Sequence, residues 1–500
     1  MKEQSRIANI VSSKFYPLLL FFLSFVFVVL FSRSTSFLYV YEGFDAAIFK
    51  QMGLAVLRGK TLYLDYFDNK GCLLYFIQAL GLYLGGNFII LLMQTISLTI
   101  TLVIWDKIIA FYREGRSRFI CLAIALFLML CFYDGGDLSE EWCLPFASYP
   151  IYLYFRNLNT NKGIRKIEML AIGICFGIIA FIRINNASAF LGFIAYLYFV
   201  LLQKKKYKKL ISNVLLFLFG TMLIAGMCFM YFYVKAGSIG VKEMIYGTFL
   251  SYFEYFGYQD PRPVYYYVFY ILSLIVGITL VCINASKQKE ILIPTLLSYA
   301  FFISSSGTRC FIHYLMVIIP LIVTLLTIID FKKYHKTNLA LLLIGLLPLI
   351  GFLIRPVGFF FNDLVLDKEP FKTSYNEFHH CIEEIPETER DSIYNYNLSG
   401  IGAGMMQHEG LLQCNRVFFS PLALHLPTLF KEEISKPFIW PKWILISGDK
   451  AYNENDVEFI LENYDLKNYF VHNTKYVKGL NMGEISTVCF YCRKDQTPAP

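Results

Sequence analysis

The chain has 500 residues, 56% hydrophobic and 16% charged, whereas a typical soluble domain is about 45 to 50% apolar and about 25% charged, so an ordinary cytosolic enzyme is excluded. Residues 1–361 hold 32 Lys and Arg against 17 Asp and Glu, and residues 362–500 hold 13 against 20; a long basic section therefore precedes a slightly acidic tail the size of one small domain. The basic residues punctuate apolar runs instead of forming a stripe, which excludes a nucleic-acid partner despite the net charge of +8.

Eleven apolar runs read as membrane spans: near residues 15–32, 87–105, 119–133, 141–155, 169–183, 187–202, 210–234, 264–284, 291–305, 313–329 and 338–354. Several fall short of the roughly 20 residues that cross a hydrocarbon core, so flanking aromatics complete them or the boundaries run wider. The fold expected is an all-α polytopic membrane bundle over residues 1–361, with a small external α/β domain over residues 362–500. Loops assigned to one side total 21 basic and 6 acidic residues; the opposite loops, up to Arg355, total 11 of each. Short cytoplasmic loops collect Lys and Arg, so the N-terminus is expected inside and the tail outside. The first run lacks a small-residue cleavage site and reads as a retained anchor.

The first external loop, residues 33–86, carries the densest ionisable cluster: Glu42, Asp45, Lys50, Arg58, Lys60, Asp65, Asp68 and Lys70. Phe44, Ile48, Met52 and Ala55 recur at helical spacing and Gly59 stands where a helix C-terminal glycine belongs, which predicts an amphipathic helix on the membrane surface. Residues 73–84 form a second interfacial helix, too short to cross. Asp45 suits the first turn of a helix through the backbone dipole; it equally suits a pocket, where it accepts a proton from a substrate hydroxyl. Asp65, Asp68 and Lys70 read as a solvated turn, or as a headgroup-level site in which the ammonium meets a lipid phosphate.

The second external loop crowds Asp134, Asp137, Glu140 and Glu141 into eight residues. Ser139 with two glutamates in a first helical turn is a complete structural account; acids from two external loops converging on one site is the functional one. Arg183, Asn185 and Asn186 occupy a tight outer turn, and Arg309 lies one helical turn before His313 near the outer end of the next-to-last pair of spans. A snorkelling anchor explains a lone arginine there, whereas a guanidinium beside a histidine suits a phosphate oxyanion.

These residues carry a resemblance. Gly43-Phe-Asp45 through Leu57-Arg-Gly59-Lys-Thr-Leu-Tyr63-Leu-Asp65-Tyr-Phe-Asp68-Asn-Lys70-Gly71, then Leu74-Tyr75, resembles the first external loop of the glycosyltransferase C superfamily, in particular bacterial relatives of protein O-mannosyltransferases and lipid A aminoarabinose transferases. Ser139-Glu140-Glu141, Phe181-Ile-Arg183-Ile-Asn185 and Arg309-Cys-Phe-Ile-His313-Tyr314 follow in the order that the resemblance implies, over most of residues 1–354. It implies a multi-pass protein of a bacterial cytoplasmic membrane that moves a hexosyl or pentosyl group from a polyprenyl-phosphate donor to a glycan, lipid or protein hydroxyl outside the cytoplasm. Asp45 would be the base, Glu140 or Glu141 the second acid, and Lys70, Arg183, Asn185, Arg309 and His313 the lipid-phosphate ligands. Two departures bear on loop geometry: Cys72 follows Lys70-Gly71 where the family commonly has proline, and Ile184 precedes Asn185 where proline is frequent.

That chemistry has a logic needing no metal or other cofactor. Breaking the bond from the anomeric carbon to phosphate leaves charge that preplaced cations stabilise; a carboxylate takes the acceptor proton as the hydroxyl attacks from the opposite face, which inverts the anomeric centre.

Residues 392–397, 443–447 and 487–492 of the tail read as strands and residues 457–463 as part of a helix; acceptor or partner binding is its natural role. Gly400-Ile-Gly402-Ala-Gly404 lacks the full spacing of a phosphate loop. Cys489 and Cys492 lack the second pair that zinc requires, and a disulfide to Cys381 or Cys414 is open to them in an oxidising compartment. A lipid-linked sugar flippase or transporter would share the spans but carry internal repeats or mid-membrane polar groups; a noncatalytic scaffold would not need the loop acids.

Overall fold

The apolar runs become helices because a backbone without water must satisfy its own polar groups. In a computed structural model of the protein, which describes residues 15–35, 37–38, 43–160, 162–256, 289–306, 311–328, 369–396, 399–417, 426, 441–447, 454–473 and 485–494, the helices in chain order are α1 (Tyr16–Phe31), α2 (Phe44–Leu57), α3 (Cys72–Gly85), α4 (Asn87–Ala110), α5 (Gly115–Phe132), α6 (Ser139–Thr160), α7 (Lys166–Arg183), α8 (Ser188–Gln203), α9 (Tyr207–Ile245), α10 (Ser251–Phe256), α11 (Lys289–Ser306) and α12 (Ile319–Ile328). Eight of the nine expected spans among the described residues coincide with one of these helices, and the one at 313–329 falls on a 3-10 helix (Ile312–Ile318) followed by α12; those at 264–284 and 338–354 lie outside the described residues. Four helical stretches, Asn87–Ala110, Gly115–Phe132, Lys166–Gln203 and Tyr207–Glu254, are long and apolar enough to cross a membrane. The observed helices mostly run wider than the hydropathy runs, because Lys, Asn and Thr continue a helix past its apolar stretch.

Helix α9 is the longest and it breaks near its end: Ala236 and Gly237 leave helical geometry, Gly237 at φ +60°, and a π-helical turn follows over Tyr246–Leu250. Along its length α9 packs on α7, while α8 packs on α11 and α4 on α6. Gly173 and Gly220 permit the α7 to α9 approach: a methyl at Gly173 would stand 2.1 Å from the Phe217 carbonyl oxygen, and one at Gly220 2.3 Å from that of Leu170.

The first-loop helix differs from its expected setting. The sequence predicts a surface helix with one wet face, but residues 46–53 of α2 are all buried. It lies between α3 on one side and the tail helix α14 (Ser399–His408) on the other. Lys50 is buried with its ammonium donating to the Ser34 carbonyl. Its charge made the helix look wet on one side; the next residue, Gln51, is the one that meets the tail, donating to the Ala403 and Leu411 carbonyls.

The tail adds α13 (Glu369–Glu383), β1 (Ile393–Asn395), α14, β2 (Trp443–Ser447), α15 (Glu454–Asn463), β3 (Tyr464–Asn473) and β4 (Ile485–Arg493). The sheet has the order β1-β2-β4-β3, parallel between β1 and β2 and antiparallel elsewhere, with Ile393 opposite Trp443 and Leu445 opposite Phe490. Phe378, Ile393, Leu445 and Phe490 share a core under it, whereas Ala403 and Leu412 join the core of the helical section. Three expected strands and the helix are present. Strand β3 is an edge strand of mixed polarity, which hides its period. The glycine triplet forms helix α14 and makes no phosphate loop. Cys381 and Cys414 are free thiols.

Candidate functional site

The first turn of α6 and the end of α7 supply the best-defined ion pair. Arg183 Nη1 donates to Glu140 Oε1 at 2.7 Å, with side chains 9% and 0% exposed. Ser139 Oγ donates to the other carboxylate oxygen at 2.9 Å. The Arg183 guanidinium also lies 4.2 Å from the centroid of the Tyr314 ring, a cation–π contact in a desolvated setting. Glu140 stands in the first turn of α6, fully buried, with its two carboxylate oxygens taken up by Arg183 and the Ser139 hydroxyl.

The Tyr314 ring leads to the second half of the site, since its centroid is 4.9 Å from that of His313. His313 Nδ1 is 3.1 Å from Asp134 Oδ2, and Nε2 is 3.9 Å from Asp45 Oδ2. The imidazole is thus flanked by carboxylates from two separate segments, the start of α2 and the turn before α6. Asp45, His313, Tyr314, Arg183 and Glu140 form one continuous patch.

Asp45 sits in the first turn of α2, capped by Gly43 with no side-chain cap, and its carboxylate is about one-third exposed, at 32%. Phe49 is one turn further along, and Lys70 Nζ lies 5.9 Å over its ring while donating to Asn69 Oδ1 at 2.8 Å. Both contacts are neutral, so neither neutralises the ammonium. The neighbouring Gly71 N–H donates to the Ile182 carbonyl at 2.9 Å, and a methyl at Gly71 would stand 2.0 Å from the Phe181 carbonyl oxygen. That close backbone approach ties the Lys70 loop to the end of α7 that carries Arg183.

The structure separates the two adjacent glutamates. Glu141 turns away and accepts from Tyr133 OH at 2.9 Å, Gln94 Nε2 at 3.0 Å and the Asp137 N–H at 2.8 Å. It thereby pins residues 134–137, all at positive φ, the loop that presents Asp134 to His313. Asp65 leaves the patch, accepting from the Thr61 N–H at 2.6 Å, and Asp68 is buried as acceptor of Tyr75 OH at 2.8 Å. Asn185 lies in the 3-10 turn after Arg183, its Oδ1 buried and without a hydrogen-bond partner among the described residues. Arg309 lies outside the described residues. Among the described residues no three His, Cys, Asp or Glu side chains gather as a metal ion would require. In the sequence Asp134 stood out only as one of four crowded loop acids and Tyr314 only as the neighbour of His313, with no role for either; for Asp134 the Asp-Gly-Gly-Asp run was the available signal, since it favours left-handed backbone.

Compared with known proteins, the chain matches the crystal structure of ArnT from Cupriavidus metallidurans bound to undecaprenyl phosphate. The match has a TM-score of 0.57 and covers 96% of this chain and 98% of that one, at 9% sequence identity. The fold is that of ArnT. The likeness extends through the tail as well as the helical section. No protein-family model matches the sequence, and neither does any curated protein.

Proposed function

We propose that the protein is a membrane glycosyltransferase that moves a sugar from a polyprenyl-phosphate donor to a hydroxyl acceptor outside the cytoplasm, with inversion. The observation that carries this reading is the union of Asp45, Asp134 and Glu140, from two separate loops, with His313 and Arg183 on one patch, beside a lysine whose contacts are neutral. It is supported by the shared fold with a protein that binds undecaprenyl phosphate.

Asp45 is the base. It is more exposed than Asp134 or Glu140, so an acceptor hydroxyl reaches it directly. Lys70 is the main phosphate ligand, because an ammonium that meets no carboxylate among the described residues keeps its charge for the leaving phosphate. Arg183 and His313 already have carboxylates; their part is to hold the patch together and supply donors at its edge. Arg309 belongs with them only by the motif that the loop sequence resembles, because Phe311 is extended and the helix carrying His313 begins at Ile312, and Asn185 follows Arg183 in the next turn. Asp134 orients the His313 ring and Glu140 the Arg183 guanidinium.

The test is sugar transfer by the purified protein from a polyprenyl-phosphate-linked donor. Asp45→Asn keeps size and helix-start hydrogen bonding but cannot accept the proton, so transfer falls by roughly 10²-fold or more. Near-normal transfer by a folded Asp45→Asn protein would sink the assignment. Movement of lipid-linked sugar without transfer would identify a flippase.

A further inference from the structure

Among the buried residues of the first loop, Tyr63 has an unusual backbone. It is completely buried and its φ is +67°, a left-handed conformation that a bulky residue adopts only when its surroundings impose it. Three groups impose it here. The ring is wedged among Phe67, Tyr75 and Phe232, with centroids 6.3, 6.1 and 5.7 Å away. The hydroxyl donates to the Lys70 carbonyl at 2.7 Å and accepts from Thr248 Oγ1 at 3.2 Å. The carbonyl receives Arg416 of the tail, through Nε at 3.0 Å and Nη2 at 2.6 Å.

Arg416 is gripped in its turn. Nη2 also donates to Glu243 Oε2 at 2.8 Å, the side chains being 9% and 11% exposed, and its own carbonyl accepts the Phe67 N–H at 2.7 Å. Nearby contacts follow the same course: Gln51 Nε2 donates to the Leu411 carbonyl and Tyr66 OH to that of Gln413. The tail, the first loop and the far end of α9 therefore meet at one arginine. From there a single residue, Tyr63, spans to Lys70.

We propose that Arg416 is a positioning residue for Lys70: by clamping the Tyr63 carbonyl between the tail and Glu243, it fixes the strained Tyr63 whose hydroxyl holds the Lys70 backbone in place. The tail then serves the donor site directly. This rests on the phosphate role of Lys70 given above. A displacement of about 1 Å at a positioning contact is enough to cost 10²-fold in function, so the effect is measurable.

The experiment uses the full-length protein in lipid nanodiscs, with undecaprenyl phosphate as the binding probe and amide exchange of residues 61–70 as a second readout. Arg416→Ala should weaken undecaprenyl phosphate tenfold or more and speed exchange in residues 61–70 tenfold or more, with residues 87–110 unchanged. Arg416→Lys, which keeps the charge, should recover part of both. Tyr63→Phe should weaken the probe while leaving the Phe67 amide protected. In a Lys70→Gln background, Arg416→Ala should cause no further loss of affinity, since the arginine acts through the lysine. An additional tenfold loss in that background, or unchanged exchange over residues 61–70 in Arg416→Ala, would overturn the inference. Should Arg416→Ala fail to fold, Glu243→Gln and Arg416→Lys give the same comparison. Failure of the wild-type protein to bind undecaprenyl phosphate would count against the phosphate reading of Lys70; the exchange measurement would still decide whether Arg416 fixes the loop.

Discussion

Exchanging Glu140 and Glu141 one at a time for glutamine separates carboxylates that stand side by side in sequence. Successive helix positions point about 100° apart, and these two reach different surroundings: Glu140 meets Arg183, and Glu141 meets Gln94, Tyr133 and the Asp137 N–H. Glu140→Gln leaves a guanidinium that is 9% exposed without its counter-charge. Breaking a buried pair from one side costs about 3 to 5 kcal/mol, and the amide oxygen, still able to accept from Arg183, keeps the loss near about 3 kcal/mol. If that loss falls on the assembled site, transfer drops by roughly 10²-fold.

In Glu141→Gln the amide oxygen takes over the bonds from Gln94 and Asp137, while the amide nitrogen faces Tyr133, whose hydroxyl reverses from donor to acceptor. Only the charge assistance disappears, about 1 kcal/mol for each of two bonds. Transfer is then expected to stay within about threefold of wild type, with a thermal midpoint a few degrees lower. Initial rates give the first quantity. A thiol-reactive fluorophore in a thermal ramp gives the second, because Cys72, Cys121, Cys131, Cys143 and Cys175 are buried free thiols that react on unfolding. Equal loss of transfer in both variants at matching thermal midpoints would refute the separation.

Gly71→Ala forces a methyl against the Phe181 and Ile182 backbone, so the Lys70 loop must lift; transfer should drop at least tenfold while the helical section keeps its thermal midpoint, and an unaffected rate would show that the loop seam is dispensable. A reporter fused after Lys494 should be active only on the non-cytoplasmic side, as the charge bias of the loops requires; cytoplasmic activity would mean a miscounted span.

Hydropathy made the helices legible because each apolar run must hide its backbone, and Gly59 marked the end of α2 through a backbone angle few other residues accept. The loop acids were legible as a cluster, but not as a site. Choosing Glu140 over Glu141 needs the direction of the α6 first turn, and pairing His313 with Asp134 needs the left-handed path of residues 134–137. Neither is encoded in spacing. The covering of α2 by the tail was hidden for the same reason: Gln51, Tyr66 and Arg58 look like surface residues until the chain segment some 350 positions later closes on them. Strand β3 escaped because an edge strand exposed on one side carries polar residues at both parities.

The break at Gly237 has a mechanical consequence. Residues 207–235 of α9 extend about 44 Å at 1.5 Å per residue, well beyond the roughly 30 Å of a hydrocarbon core. Such a helix takes up its excess length by tilting, and it stands more upright as the bilayer thickens. Residues 238–245, beyond the elbow, are anchored instead through Glu243 to Arg416. A change of acyl-chain length is therefore expected to alter the tilt of residues 207–235, with the bend at Ala236 and Gly237 taking up the difference while Arg416 holds residues 238–245.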